Sequence, residues 1–289
     1  MQVEEIISAQ NSRIKEIVTL LEKSKLRREQ SLFVVEGARE ITACLKNGFE
    51  IQSFFFNPAI AGEQLSKYPD IVSHYTTPKH CSTGKDSVQN RFIPNFYSLS
   101  DSAYNKIAYR EGTEGIVALV KEKKSTLNEL VSCNSPLVLV CESIEKPGNI
   151  GAMLRTADAC GADAVLICNQ KCDLYNPNLI RASLGAVFTK KIIIVSNEEA
   201  GEWLKQHGFK IFTAQLQDSV NYYETEMTGA CAIVMGSEAN GLTSYWREIS
   251  DAKIKIPMLR ELDSLNVSVS AAVLCYEAVR QRRSGNHVK

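Results

Sequence analysis

Short apolar runs alternate with helical segments through the second half of the chain, and this alternation limits the folds that it can adopt. The runs cover residues 137–141, 164–168, 191–195, 209–212, 231–235 and 254–256. Apolar runs of this length that alternate with helices predict a mostly parallel α/β sheet covered on both faces. Sheets of this class bind ligands at the loops after the carboxyl ends of their strands, so we expect the functional residues there.

The first part of the chain predicts a smaller α/β domain of its own. A helix is expected after an N-cap at Asn11 or Ser12. Residues 76–102 are polar and contain proline and glycine, which predicts a loop-rich segment. The remaining pattern predicts strands at 32–35, 51–56 and 115–120.

A charged stretch without core residues, 121–126, indicates the edge between two domains. We therefore predict one domain at residues 1–125 and a second at residues 126–289.

Composition restricts the class of protein. The 289 residues are 44% hydrophobic and 23% charged with a net charge of zero, which is typical of a globular protein. No apolar run approaches the roughly 20 residues that a membrane span requires. The nine cysteines lack regular spacing and the N-terminus lacks a signal-peptide layout, so we expect a reducing, cytoplasmic location. Cys168 and Cys172 have no histidine cluster nearby, and no metal site is expected.

Positive charge is concentrated near the N-terminus although the chain is neutral overall. Two interpretations remain open: a solvated helix face, or a patch that binds RNA phosphates. Against Glu16 and Glu22, the segment carries six basic residues and hence a net charge of +4. The basic residues are Arg13, Lys15, Lys23, Lys25, Arg27 and Arg28.

Three loops after predicted strands concentrate small and polar residues. Residues 145–155 follow the first strand of the second domain, residues 236–242 follow the strand at 231–235, and residues 257–266 follow the strand at 254–256. Such loops grip ligands largely through backbone groups.

The loop at 145–155 is unlike a dinucleotide-binding turn. It lacks the third glycine of that fingerprint, and the next strand ends at Cys168 without an acidic residue for a ribose. A nicotinamide enzyme is therefore disfavoured. Arg155 has two interpretations, as a surface ion-pair partner of Asp158 or as a guanidinium that binds phosphate and stabilises oxyanion charge.

Together these loops resemble the three motifs of the SpoU (TrmH-like) family of RNA ribose 2′-O-methyltransferases. The motifs are Asn149-x-Gly-x-x-x-Arg155, residues 235–242, and Ile256-Pro-Met with residues 264–270, in the order of the family. The first 120 residues, with the sequences at 11–15 and 33–37, resemble the small L30e-like RNA-binding domain that precedes many such catalytic domains.

The resemblance implies a catalytic domain whose chain forms a deep trefoil knot, a topology that periodicity alone does not suggest. It also implies that S-adenosylmethionine binds in the knot, mainly through backbone groups. Glycine permits close approach of the chain, and apolar side chains can pack against adenine. The corresponding positions are Gly236, Ile256 and Leu265, with Met258, Ala214 and Leu216 as neighbours.

The resemblance assigns catalytic positions to Asn149, Arg155, Glu238, Ser264 and Asn266. Because arginine hardly deprotonates in proteins, we favour a role for Arg155 in stabilising the forming alkoxide over a role as general base. Glu238 is interpreted as fixing its loop or Asn149, with helix capping as the alternative. Ser264 and Asn266 are expected to combine substrate contact with capping of the next helix.

Two further features bear on the function that the resemblance implies. Arg260 stands where many members of the family have glycine, so the conformation of the cofactor loop stays open. The apolar face of the helix predicted at 267–279 implies a homodimer through the second domain, with plain core packing as the alternative.

The expected function is S-adenosylmethionine-dependent methylation of a ribose 2′-hydroxyl in structured RNA, with 23S ribosomal RNA favoured. The alternatives are methylation of transfer RNA and a non-catalytic RNA-binding assembly factor. The sequence leaves the identity of the modified nucleotide open.

Overall fold

The structure, a computed structural model, describes residues 3–65, 71, 94–109, 114–130, 135–261 and 264–285. The chain divides into two compact units. The first is Met1–Lys123 with Tyr175–Pro177, and the second is Lys124–Leu174 with Asn178–Lys289. None of the helices in the described ranges combines the length and the apolar character needed to cross a bilayer.

The first unit is built on a mixed sheet. Its strands are β1 (Val3–Ile6), β2 (Leu32–Glu36), β3 (Ile51–Phe56), β4 (Asn95–Leu99) and β5 (Ile116–Lys121). In the order β1-β4-β3-β5-β2, β4 runs parallel to its two neighbours and β5 runs antiparallel to its own. The helices are α1 (Ser12–Glu22), α2 (Ser24–Gln30), α3 (Ala38–Lys46), α4 (Pro58–Leu65) and α5 (Asp101–Ile107).

The three strands predicted in this unit are confirmed, but the loop predicted at 76–102 is wrong at its C-terminal end. Residues 95–99 form β4, in which Phe96, Tyr97 and Leu99 are buried, and α5 follows at once. Tyr97 and Leu99 of β4 pack in the core with residues of α1 and α5. Residues 76–93 of that prediction lie outside the described ranges.

The second unit contains a parallel sheet, which confirms the mostly parallel sheet that the alternation of apolar runs predicts. The sheet order is β10-β12-β9-β11-β6-β7-β8, and every pair of neighbours in it is parallel. Its strands are β6 (Leu137–Glu142), β7 (Ala164–Cys168), β8 (Ile192–Val195), β9 (Lys210–Ala214), β10 (Val220–Asn221), β11 (Cys231–Met235) and β12 (Ala252–Lys255). The helices are α6 (Pro147–Ala159), α7 (Pro177–Ser183), α8 (Ala186–Thr189), α9 (Asn197–Gln206), α10 (Ser244–Ile249) and α11 (Val267–Gly285).

Side chains on the central strands form the core of this unit. Val140, Leu166 and Val234 are fully buried and pack with Trp246 of α10. Because the strands are covered on both faces, they read as continuous apolar runs in the sequence.

Helix α11 continues beyond the predicted end at residue 279 because its last turns bind the loop before β11. The Gln281 amide donates to the Thr225 carbonyl and accepts from the Met227 N–H at 2.7 Å. The Arg282 guanidinium donates to the Met227 and Gly229 carbonyls.

Candidate active site

The candidate site lies where the order of the second sheet reverses. From β6 the chain continues to β7 on one side, whereas β11 lies on the other side of β6. Met235 at the end of β11 pairs with Cys141 in β6, so the loops after these two strands begin side by side. A reversal of this kind opens a crevice at the carboxyl ends of the strands.

Asn149 connects the three motif loops through its side-chain amide. Its Nδ2 atom donates to Glu238 Oε1, and its Oδ1 atom accepts from Asn266 Nδ2 at 3.2 Å. The partners of Asn149 are 89 and 117 residues away in sequence. The fold therefore brings the ends of β6, β11 and β12 to one place.

Asn266 also organises the start of α11. Its Oδ1 atom accepts from the Ser268 N–H at 2.9 Å and from the Ser268 hydroxyl at 2.6 Å. Its carbonyl accepts from the Ser270 N–H at 2.9 Å. Capping of the helix and the contact with Asn149 thus coexist in one side chain. Ser264 is exposed two residues earlier on the same loop.

The loop after β11 is closed by its own backbone. Ser237 and Gly241 exchange N–H to carbonyl hydrogen bonds of 3.1 and 3.0 Å. A Cβ atom on Gly236 would lie 2.3 Å from the Gly241 carbonyl carbon and 2.5 Å from the Leu242 nitrogen. Glycine at 236 is therefore required by closure of the loop itself, and Glu238 is held exposed at the tip.

A second carboxylate, Glu142 at the end of β6, was not identified from the sequence. It is fully buried and accepts from the Thr243 N–H at 2.9 Å, the Thr243 hydroxyl at 2.7 Å and Asn197 Nδ2 at 2.7 Å. Glu142, and not Glu238, is thus the acid that binds the start of α10. One sequence feature could have identified Glu142: it is a single carboxylate at the end of an apolar strand. A buried acid needs hydrogen-bond partners, so such a residue is expected to bind polar groups nearby.

Arg155 lies on α6 with an exposed side chain. The ion pair with Asp158 that was one interpretation of Arg155 is wrong, because Asp158 binds Lys190 Nζ at 3.5 Å and the Thr189 hydroxyl at 2.9 Å. Within the described residues, the guanidinium of Arg155 has no ion-pair or hydrogen-bond partner. Its charge is available to an anionic ligand.

Apolar side chains are exposed on the loops to which the resemblance assigns the cofactor. Leu216 is 51% exposed and Leu265 is 38% exposed, while Ala214, Ile256 and Met258 are partly buried. Exposed leucines on adjacent loops fit an apolar, flat ligand surface.

Unpaired polar atoms lie at the end of β9, beside the loop that carries Leu216. Thr213 Oγ1 and Gln215 Oε1 are buried without a hydrogen-bond partner among the described residues. Buried polar atoms of this kind are normally satisfied, so a ligand that offers donors near β9 would complete them. The residues present thus fit a nucleoside such as that of S-adenosylmethionine.

Cysteine chemistry is not favoured at this site. Burial and the nearby carboxylates of Glu142 and Glu198 raise the pKa of Cys168 to about 12, and burial raises the pKa of Cys141 well above its ordinary value. Both thiols are therefore protonated at neutral pH and are poor nucleophiles.

The basic residues between positions 13 and 28 differ in their exposure and in their partners. Lys15, Lys23 and Arg28 are exposed. Arg13 lies 4.7 Å from the centroid of the Tyr97 ring, and Lys25 pairs with a glutamate at 3.7 Å.

The RNA-binding prediction is wrong for Arg27. Its side chain is 4% exposed and donates to the carbonyls of Leu20 and Leu21, the latter at 3.1 Å. These carbonyls lie at the end of α1, where they lack partners within the helix, so the guanidinium completes the helix end.

Each of the two units matches a known protein family. The profile of the SpoU rRNA Methylase family matches residues 136–276, and that of the MRM3-like substrate binding domain matches residues 11–118. The 23S rRNA (guanosine(2553)-2′-O)-methyltransferase RlmP of Bacillus subtilis is 28% identical over 95% of this chain and 98% of its own length. The 23S rRNA (guanosine-2′-O-)-methyltransferase RlmB of Vibrio vulnificus is 36% identical over 61% of this chain and 73% of its own length.

Solved structures show the same architecture. An RNA 2′-O ribose methyltransferase superposes with a TM-score of 0.77 at 35% identity, covering 96% of this chain and 99% of that chain. The methyltransferase AviRb of Streptomyces viridochromogenes, solved with AdoMet, gives a TM-score of 0.80 at 23% identity, covering 95% of this chain and 99% of that chain. The predicted knotted α/β fold class, preceded by a smaller sheet domain, is confirmed. By its profile match and its likeness to RlmB, this chain belongs to the SpoU rRNA Methylase family.

Proposed function

We propose that this protein transfers a methyl group from S-adenosylmethionine to a ribose 2′-hydroxyl in structured RNA. The observation that carries the proposal is the hydrogen-bonded chain from Glu238 through Asn149 to Asn266, with an exposed Arg155 on the same helix as Asn149. We favour 23S ribosomal RNA over transfer RNA because RlmP, which aligns with 95% of this chain, is a 23S rRNA methyltransferase.

S-adenosylmethionine supplies an electrophilic methyl group on a sulfonium. The protein has to place the ribose hydroxyl in line and to stabilise the charge that grows on its oxygen. We assign charge stabilisation to Arg155, whose guanidinium also suits a neighbouring phosphate. Asn149, held on both sides by Glu238 and Asn266, fixes the position of the hydroxyl, and Ser264 contacts the substrate from the third loop.

The cofactor is assigned to the loops after β9, β11 and β12. Leu216, Met258 and Leu265 are proposed to pack against the adenine ring, and the unpaired polar atoms of Thr213 and Gln215 are available to the nucleoside. The other residues proposed for this site are Gly236, Ile256 and Ala214.

We assign RNA capture to residues 1–125 and methyl transfer to residues 126–289. In the first part, the proposed phosphate contacts are Arg13, Lys15, Lys23, Lys25 and Arg28. The support is the exposure of Lys15, Lys23 and Arg28 and the match of residues 11–118 to a substrate-binding domain.

We further propose a cytoplasmic homodimer that forms through α11. Val269 and Tyr276 on this helix are 48% and 49% exposed, which leaves apolar surface for a second copy. Light scattering should show a dimer that Tyr276→Glu converts to a monomer. The cysteines of the described ranges are free thiols, in keeping with a reducing compartment.

The experiment is methyl transfer from labelled S-adenosylmethionine to 23S rRNA and to transfer RNA, followed by mapping of 2′-O-methyl sites. Wild-type protein is expected to modify one ribose of 23S rRNA. Arg155→Lys is expected to bind the cofactor normally in calorimetry but to lose most of its activity, because Lys lacks the planar fork. Lys205→Arg, an exposed position on α9, serves as the control for a charge-conserving exchange.

Each outcome of this experiment decides between the alternatives. Modification of transfer RNA alone would replace the favoured substrate. RNA binding without cofactor binding would identify a non-catalytic assembly factor and overturn the proposal. Near-normal transfer by Arg155→Lys would show that the fork of Arg155 is unnecessary.

A further inference from the structure

The buried carboxylate of Glu142 lies in a hydrogen-bonded network next to the candidate site. Trp246 Nε1 donates to Asn197 Oδ1 at 3.0 Å, and Asn197 Nδ2 donates to Glu142 Oε1 at 2.7 Å. Thr243 adds two donors to Glu142, its hydroxyl and its N–H. The network joins β6, α9 and α10, which are far apart in sequence.

Only one assignment of donors and acceptors is consistent with this network. An indole nitrogen can only donate, so Trp246 fixes Oδ1 of Asn197 on its own side and turns Nδ2 of Asn197 toward residue 142. The Thr243 N–H is a donor as well. Residue 142 must therefore accept on both of its terminal atoms, which a carboxylate does and a carboxamide cannot do.

This network determines where the loop after β11 can lie. The loop begins at Met235, which is paired with Cys141 in β6, and it ends at Thr243, which is bound to Glu142 in β6. Both ends are thus attached to the strand that leads into α6 and Asn149. Glu238, which contacts Asn149, lies between these two attachments.

We propose that Glu142 is a positioning residue, whose buried carboxylate holds the loop at 236–243 so that Glu238 meets Asn149. This inference rests on the proposed methyl transfer for its effect on rate, but the geometry of the loop is testable without it. Glu142 itself does not touch the reacting atoms in this assignment.

The test exchanges the carboxylate and the amide between two positions. Glu142→Gln places a carboxamide donor against the Asn197 amide and is expected to lower kcat by about 10- to 100-fold with little change in KM for RNA. Asn197→Asp places two carboxylates face to face and is expected to be similarly impaired.

The double variant, Glu142→Gln with Asn197→Asp, restores a consistent set of donors and acceptors. The new carboxylate at position 197 accepts from Trp246 and from the new carboxamide at position 142, and the second N–H of that carboxamide donates to the Thr243 hydroxyl, which changes from donor to acceptor. The oxygen of that carboxamide still accepts from the Thr243 N–H. The kcat of the double variant is therefore expected to return to within about threefold of wild type.

Two controls separate positioning from general stability. Trp246→Phe removes one hydrogen bond of the network and lowers the melting temperature, but leaves Glu142 bound to Thr243, so kcat is expected to be retained. Thr243→Val removes one donor to Glu142 and is expected to lower kcat, whereas Thr243→Ser restores it. If Glu142→Gln fails to fold, the two Thr243 variants and the double variant still decide the question.

A second readout is independent of methyl transfer. The side-chain amide signal of Asn149 in the NMR spectrum is expected to shift in Glu142→Gln and to return in the double variant. Wild-type protein without activity would refute the proposed function and leave this measurement intact. An unchanged Asn149 signal with wild-type kcat in Glu142→Gln, or a folded double variant without recovery, would overturn the positioning role.

Discussion

Two glutamates at the carboxyl ends of adjacent strands differ in what surrounds them. Glu142 after β6 is fully buried and accepts from three donors of the protein. Glu238 after β11 is exposed, and among the described residues its hydrogen-bond partner is Asn149. The buried carboxylate is satisfied by the fold, whereas the exposed one keeps acceptor capacity for a substrate or a water molecule. Their difference suggests that one determines the shape of the site and the other takes part in its chemistry.

The largest expected effect is on activity, from Asn149→Ala. This change removes both hydrogen bonds that join the three loops, and methyl transfer is expected to fall by about 10²- to 10³-fold, as when one preorganised polar group is lost. Unfolding free energy should change by less than about 1 kcal/mol because the network is exposed. Single-turnover kinetics and denaturant unfolding measure the two quantities.

Asn221→Ala is the matched control for that prediction. Asn221 Nδ2 donates to Glu224 Oε1 at 2.7 Å, so it is also an exposed asparagine–glutamate pair in the second unit. Its loss should leave the rate unchanged. Equal rates for Asn149→Ala and Asn221→Ala would show that the hydrogen bonds of Asn149 contribute no more to methyl transfer than an ordinary surface hydrogen bond.

A larger loss of stability is expected from Glu142→Ala than from Asn149→Ala. Removing this fully buried carboxylate leaves the partly buried Thr243 N–H and Asn197 amide without acceptors, and we expect a loss of about 3 kcal/mol in unfolding free energy. Glu238→Ala should stay within about 0.5 kcal/mol of wild type because its site is exposed. Chemical denaturation of both variants tests the comparison directly, and similar losses for the two glutamates would contradict it.

A smaller effect on stability is expected from Gly236→Ala, at the start of the loop that carries Glu238. The new Cβ atom would meet the Gly241 backbone at 2.3 Å, so the loop must shift, at an expected cost of about 1–3 kcal/mol. Gly148→Ala is the control, since among the described residues nothing beyond its chain neighbours and its own helix backbone lies within 4 Å of its Cβ position on α6. That variant should be stabilised by about 0.5–1 kcal/mol, because alanine is the better helix residue. Equal melting temperatures for the two variants would show that closure of the loop tolerates a methyl group.

The elements that could be predicted from the sequence are those whose signal is local. The central strands of the second unit are buried on both faces and therefore appear as continuous apolar runs. Strand β1 (Val3–Ile6) escaped prediction because three of its four residues are exposed, so its sequence carries little apolar pattern.

The contacts of the candidate site depend on long-range pairing instead. Asn149, Glu238 and Asn266 could be named through the family motifs, but Glu142 finds its partners 55 and 101 residues away. Local propensity contains no information on such distances. The prediction for Arg27 was wrong for a related reason. A charged residue among other basic residues is expected to be exposed, but the helix breaks at Lys23, and the side chain of Arg27 therefore folds back onto the end of α1.

The smallest expected effects concern the basic residues between positions 13 and 28. There, as with the two glutamates, a buried charged residue can be compared with an exposed one. Lys15→Ala on α1 is expected to weaken RNA binding a few-fold and to reduce the slope of log K against log salt by about 0.7–0.9, the share of one phosphate contact. Arg27→Ala should leave that slope unchanged but lower the unfolding free energy by about 1–2 kcal/mol, since two carbonyls lose their donor.

Salt titrations of RNA binding, combined with thermal unfolding of both variants, separate the two cations. A change of slope in Arg27→Ala would require the buried guanidinium to reach RNA, and would restore the original interpretation of all six basic residues as one patch. If Lys15→Ala changes neither slope nor affinity, the exposed face of α1 is solvated and contributes nothing to RNA capture. The difference between a buried charged residue that stabilises the fold and an exposed one that binds a ligand would then hold only for Glu142 and Glu238 of the second unit.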